Sequence, residues 1–73
     1  MVTLTPLRYT CEYDLSTESY KHVWDAWIMV DATRHTWVYS SYYTPVHTPD
    51  PSRDEVCKES IKEHFAECRH QLE

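Results

Sequence analysis

Three prolines close together, Pro45, Pro49 and Pro51, divide this chain more sharply than anything else in it. Proline offers no N–H, fixes φ and pushes its predecessor away from helical geometry, so neither a strand ladder nor a helix runs freely through Thr44–Ser52. Upstream, the residues are aromatic and β-branched; downstream, they are charged helix formers. The chain is therefore read as one domain, residues 1–73: an antiparallel sheet in 1–43, a proline-rich connection over 44–50 and a helix over 51–72.

The upstream part divides again. From Leu7 to Tyr13, the residues Leu7, Tyr9, Cys11 and Tyr13 alternate with Arg8, Thr10 and Glu12, the period-2 signature of a half-buried strand. Asp14–Ser19 reads as a turn, with Asp and Ser available to bond the backbone. Tyr20–Val30 fits two periods. As a helix it aligns Tyr20, Val23, Trp24, Trp27 and Ile28; as a strand it sets Tyr20, His22, Trp24, Ala26, Ile28 and Val30 against Val23, Asp25, Trp27 and Met29. The residue types favour the strand, which leads through Asp31–Arg34 into a third strand, His35–Tyr43. The chain has no glycine, so tight hairpin turns that need positive φ give way to longer loops built on type I turns.

Downstream, the helix has two candidate starts: Asp50 as cap with Pro51 at the first position, or Ser52 with Glu55 as a capping box. Cys57, Ile61, Phe65, Cys68 and Leu72 then form an apolar stripe that must pack on the sheet. The expected fold class is α+β, three antiparallel strands followed by one helix on one face.

A chain of 73 residues buries only about 60% of its unfolded surface, so its three Trp and six Tyr are needed for packing. A hydrophobic share of 41% argues against disorder. The net charge of −5 repels phosphate backbones and anionic membranes, which argues against direct nucleic-acid binding and for a partner with a basic surface. No apolar run is long enough to span a bilayer, and the first residues do not read as a signal peptide. Three cysteines, an odd number in no secreted framework, point to a reducing cytoplasm. Cys57 and Cys68 cannot pair within one helix, because eleven residues rise about 16 Å; Cys11 can reach either.

One helix covers one face of a sheet, yet both faces here carry large apolar groups. With Leu7, Tyr9, Cys11, Trp24, Ile28 and Val30 beneath the helix, Val23, Asp25, Trp27 and Met29 face outward. The third strand adds either Trp37, Tyr39 and Tyr43 or Val38 and Tyr42. A patch rich in Trp, Tyr and Met has the composition of a protein-binding surface, for another protein or for a second copy in a homodimer. Glu55, Glu59, Glu63 and Glu67 form an acidic ridge along the helix with about 6 Å of rise between neighbours, suited to a basic partner or simply to solvent, with Lys58, Lys62 and Arg69 interleaved.

For metal, His64 and Cys68 stand one turn apart, but two further ligands are wanting and no C-x-x-C or H-E-x-x-H motif exists. Both helical cysteines also lie on the core stripe. Neither catalytic residues nor a cofactor are assigned, since no spacing selects a nucleophile–base pair and no glycine loop can cradle phosphate.

The layout of strands followed by the Pro51–Leu72 helix resembles the partial RNA-binding-like fold of HicB-type antitoxins and the three-strand-plus-helix DNA readers of the AP2 and integrase-arm type. Those readers place Arg and Lys where this chain has Val23, Asp25, Trp27 and Met29. In size, charge and layout the chain is most similar to small acidic anti-defence proteins of phages, such as anti-CRISPRs. That resemblance implies a stoichiometric inhibitor in the host cytoplasm that covers a basic nucleic-acid-binding surface, using the Glu55-Glu59-Glu63-Glu67 ridge and the aromatic sheet face. The alternative is a homodimeric scaffold or antitoxin-like subunit.

Overall fold

The computed structural model describes residues 1–72. Its elements are β1 (Thr3–Leu4), β2 (Arg8–Asp14), β3 (Ser19–Met29), β4 (His35–Thr44) and α1 (Pro51–Leu72). The fold is α+β, with an antiparallel sheet and one C-terminal helix, and Tyr20–Met29 is strand rather than helix. The sheet has four strands, not the three expected from the alternation pattern.

The additional strand has a local cause. β1 and β2 lie end to end along one edge of β3, with Leu4 opposite Ile28 and Arg8 opposite Asp25. Four steps on one side thus answer three on the other, so the edge carries an extra residue at Thr5-Pro6-Leu7. Pro6 cannot donate to a ladder. Thr5 bridges the gap: its N–H donates to the Trp27 carbonyl at 3.0 Å, and its Oγ1 accepts from the Trp27 N–H at 2.9 Å. An extra residue also inverts the alternation. Even-numbered Val2 and Leu4 join odd-numbered Leu7 against the same core, which a single period-2 pattern cannot reveal.

Two hairpin loops and a helix cap make the turns without glycine, and each relies on an aspartate. Asp14 Oδ1 accepts from the Ser16 N–H at 2.9 Å and the Ser16 hydroxyl at 2.7 Å. Asp31 accepts from the Thr33 N–H, the Thr33 hydroxyl and the Arg34 N–H, each at 2.9 Å, and from Arg34 Nε at 2.7 Å. Asp50 accepts from the Ser52 N–H at 3.1 Å with Pro51 opening the helix, so the first of the two candidate starts is the one used. These bonds hold all three carboxyls below the ordinary carboxylate range, chiefly the Ser16 hydroxyl for Asp14, the Thr33 N–H for Asp31 and the Ser52 hydroxyl for Asp50. The first loop also forces Glu18 to φ 52°, the left-handed region where a Cβ is crowded.

The helix packs on β3 and β4, where Cys57 is buried and Ile61 joins Val2, Ala26, Ile28 and Val38 in the core. Phe65 and Cys68 extend the stripe half-buried. Asp54 fastens the helix's first turns: its Oδ1 accepts from Trp24 Nε1 at 2.8 Å and from the Tyr42 hydroxyl at 2.6 Å. Tyr42 in turn accepts from the Asp50 N–H at 3.0 Å. Lys58 lies 4.6 Å above the Trp24 ring. No helix among the described residues is long and apolar enough to cross a membrane.

A candidate protein-binding face

The register settles which side chains share a face. Even residues of β3 and β4 point to the helix, so Val38 and Tyr42 belong to the covered face. Odd residues point away: Trp27 stands opposite Trp37, Asp25 opposite Tyr39, Val23 opposite Ser41 and Lys21 opposite Tyr43. β2 adds Arg8, Thr10 and Glu12 opposite Asp25, Val23 and Lys21. Of the two alternatives for the last strand, Trp37, Tyr39 and Tyr43 are the residues on the open face.

These rings are accessible. Trp27 is 38% exposed, Trp37 43%, Tyr39 55% and Tyr43 40%. Val23 and Met29 are half-buried between them. Trp37 stacks on Tyr39 with centroids 4.4 Å apart, and the His35 ring meets Trp27 edge-on at 5.1 Å. A hollow of about 310 Å³ lies between Trp37, Val23 and Asp25 and the polar row Thr10, Glu12 and Lys21.

Asp25 organises the centre. It is only 7% exposed, and both of its oxygens are engaged. Arg8 Nε donates to Oδ1 at 3.0 Å, Arg8 Nη2 donates to Oδ2 at 3.2 Å, and Trp37 Nε1 donates to Oδ2 at 3.2 Å. A two-pronged guanidinium–carboxylate pair is geometrically specific. It fixes the Trp37 ring before any ligand arrives, which lowers the ordering cost of binding. Asp25 thus acts as a support for its neighbours more than as a contact of its own. Neither the Arg8–Asp25 pair nor the His35–Trp27 contact has a signal in residue type, because both depend on register.

The covered face has a second polar assembly around His22, which is fully buried. Thr44 gives its one hydroxyl proton to the Val46 carbonyl, so its Oγ1 accepts from His22 Nε2–H at 2.6 Å. That leaves Nδ1 to accept from the Tyr9 hydroxyl at 2.6 Å, and Tyr42 stacks on the imidazole at 4.5 Å. The Tyr9, His22 and Thr44 side chains thus all have partners, and the assembly reads as a packed polar core. Burial pushes the Tyr9 and Tyr42 hydroxyls up to about 12, with added contributions from Cys11 and from Asp54 respectively.

The acidic ridge lies elsewhere. Glu55, Glu59, Glu63 and Glu67 are exposed, while Ile61 and Cys57 are buried on the opposite side of the helix. The ridge therefore points away from the sheet, and the helix and sheet stand between it and the aromatic face. Lys58 pairs with Glu55 at 3.2 Å and Lys62 with Glu59 at 3.8 Å, leaving Glu63 and Glu67 as the part with no ion pair among the described residues. The three thiols are free. His64 is exposed and Cys68 packs on the core, and among the described residues no group of three or more His, Cys, Asp or Glu is arranged to hold a metal ion. Comparison with family models, curated proteins and solved structures finds no match.

Proposed function

We propose that this chain is a protein-binding module whose contact surface is the open sheet face formed by Val23, Trp27, Met29, Trp37, Tyr39 and Tyr43. The observation that carries this reading is the cluster of accessible Trp and Tyr rings, in which Trp37 is bonded to the buried Asp25 carboxylate and stacks on Tyr39. Exposed rings locked in one arrangement are the makings of a binding hot spot. Asp25 positions Trp37 and, through the stack, Tyr39.

The partner is a protein with a basic surface. The net charge of −5 and the outward Glu63 and Glu67 steer such a partner toward the molecule, whereas the face itself makes the short-range contact. Blocking a nucleic-acid-binding surface in the manner of a stoichiometric inhibitor is the role this combination suits. Because ridge and face point in opposite directions, charge contributes mainly to encounter rate.

The test uses a partner purified after capture and titrated calorimetrically with defined variants. Trp27→Ala should weaken binding by about 2 kcal/mol, roughly 30-fold, with unchanged circular dichroism. Glu63→Lys with Glu67→Lys should slow association at low salt and change dissociation little. Equal affinity for wild type and Trp27→Ala removes the reading.

A further inference from the structure

The sheet has two outer edges, and only one of them is guarded. Along the β1–β2 edge, Pro6 interrupts the strand and Arg8, Glu12 and Asp14 place charges beside it. Prolines, bulges and charges are the devices that keep sheet edges from pairing with other chains. The β4 edge has none of them: its ten residues, His35–Thr44, include no Asp, Glu, Lys, Arg or Pro. β4 pairs with β3 alone.

The backbone polarity of that edge follows from the hairpin. Val30 N–H donates to the Arg34 carbonyl at 2.9 Å, so even-numbered residues of β4 direct their N–H and C=O groups toward β3. Odd-numbered residues direct theirs outward. In agreement, the Tyr43 carbonyl accepts from Arg53 Nη1 at 2.8 Å, which closes the edge at its C-terminal end. The open stretch consists of the outward groups of His35, Trp37, Tyr39 and Ser41, and its midpoint is Val38.

We infer that β4 pairs antiparallel with β4 of a second copy of this chain, about a two-fold axis at Val38. In that register His35 stands opposite Ser41 of the second copy and Trp37 opposite Tyr39 of the second copy. Each outward N–H of the stretch then meets an outward carbonyl, and Tyr43, already held by Arg53, is left out. An extended strand is the occupant because a row of alternating donors and acceptors has no other match of that length. A second copy is favoured because the stretch carries no charge to repel its own image. The approach is open on the helix side as well. A groove of about 260 Å³ runs beside the edge between Trp37, Val38 and Tyr39 and the helix residues Ser60, Ile61 and His64, with no acidic side chain in its lining. Pairing joins the two open faces into one continuous aromatic surface. This inference rests on the strand edge and stands independently of what the face binds.

Sedimentation equilibrium of the full chain over a dilution series tests it, with Tyr39→Pro and Tyr39→Ala beside the wild type. The Tyr39 N–H points outward, so proline there removes a bond between copies and none within the chain; alanine removes the ring and keeps the N–H. Wild type should dimerise, and Tyr39→Pro should dimerise at least about tenfold more weakly than Tyr39→Ala. In the wild type, amide exchange at Trp37, Tyr39 and Ser41 should slow as concentration rises, which serves even if the proline variant fails to fold. A wild type that stays monomeric at every concentration, equal weakening by both substitutions, or exchange at those amides that ignores concentration would each overturn the inference.

Discussion

Both faces of the sheet anchor a tryptophan indole on a carboxylate, and the difference lies in where the carboxylate comes from. On the covered face, Trp24 and Tyr42 donate to Asp54, which belongs to the helix lying over them. On the open face, Trp37 donates to Asp25, which belongs to the sheet itself and is held by Arg8. The first arrangement ties down a cover. The second arranges a surface that has none. The two faces therefore share their chemistry, and only one of them has a helix over it.

The most forceful way to break this comparison is to truncate one large apolar side chain on each side. Ile61→Ala opens a cavity beneath the helix and should cost about 2–5 kcal/mol in chemical denaturation. Trp27→Ala, on the open side, should cost far less in the same assay. Comparable losses would mean that the open face is part of the monomer's core. Next in size is Asp54→Ala, which leaves Trp24 Nε1 and the Tyr42 hydroxyl without their acceptor and should cost about 1–3 kcal/mol. Asp25→Ala should leave the melting temperature closer to wild type and instead loosen the Trp37 ring, read as a loss of near-ultraviolet circular dichroism.

Alkaline titration sharpens the contrast further. The Tyr9 and Tyr42 phenols on the covered side sit at about 12 in the fold against an ordinary value of 10.0. Raised folded values favour the protonated form, so their contribution to stability is complete below pH 10 and disappears as pH rises toward 12. Phenolate absorbance should show these two tyrosines ionising late, together with unfolding. At the acid end the signs reverse. Asp14, Asp31 and Asp50 are depressed, so their contribution is complete above the ordinary aspartate value and is lost as pH falls through their folded values. The smallest expected effect is at Glu18, where glycine relieves the left-handed strain; Glu18→Gly should raise stability by up to about 1 kcal/mol in thermal melts.

What the sequence makes legible is whatever depends on near neighbours. The stripe through Cys57 and Ile61 follows from local pattern, the strand character of Tyr20–Met29 from its residue types, and the helix opens at Asp50-Pro51, one of the two starts the pattern allows. The two-sided character of the sheet follows from the same alternation. What escapes is whatever depends on register. Thr3–Leu4 is too short to announce itself, and the extra residue beside Pro6 puts it in the opposite parity from β2. Arg8 meets Asp25 seventeen residues away, and Asp54 meets Trp24 thirty residues away; neither pair has a spacing rule. The ridge and the aromatic face were each visible in sequence, but that they point in opposite directions needed the helix docked.

The account depends on the open-face rings being held ready for another protein, and calorimetry of Trp37→Ala against the purified partner measures that most directly. The expected result is native circular dichroism, a melting temperature close to wild type and binding weaker by about 2 kcal/mol. Native affinity in that variant would contradict it.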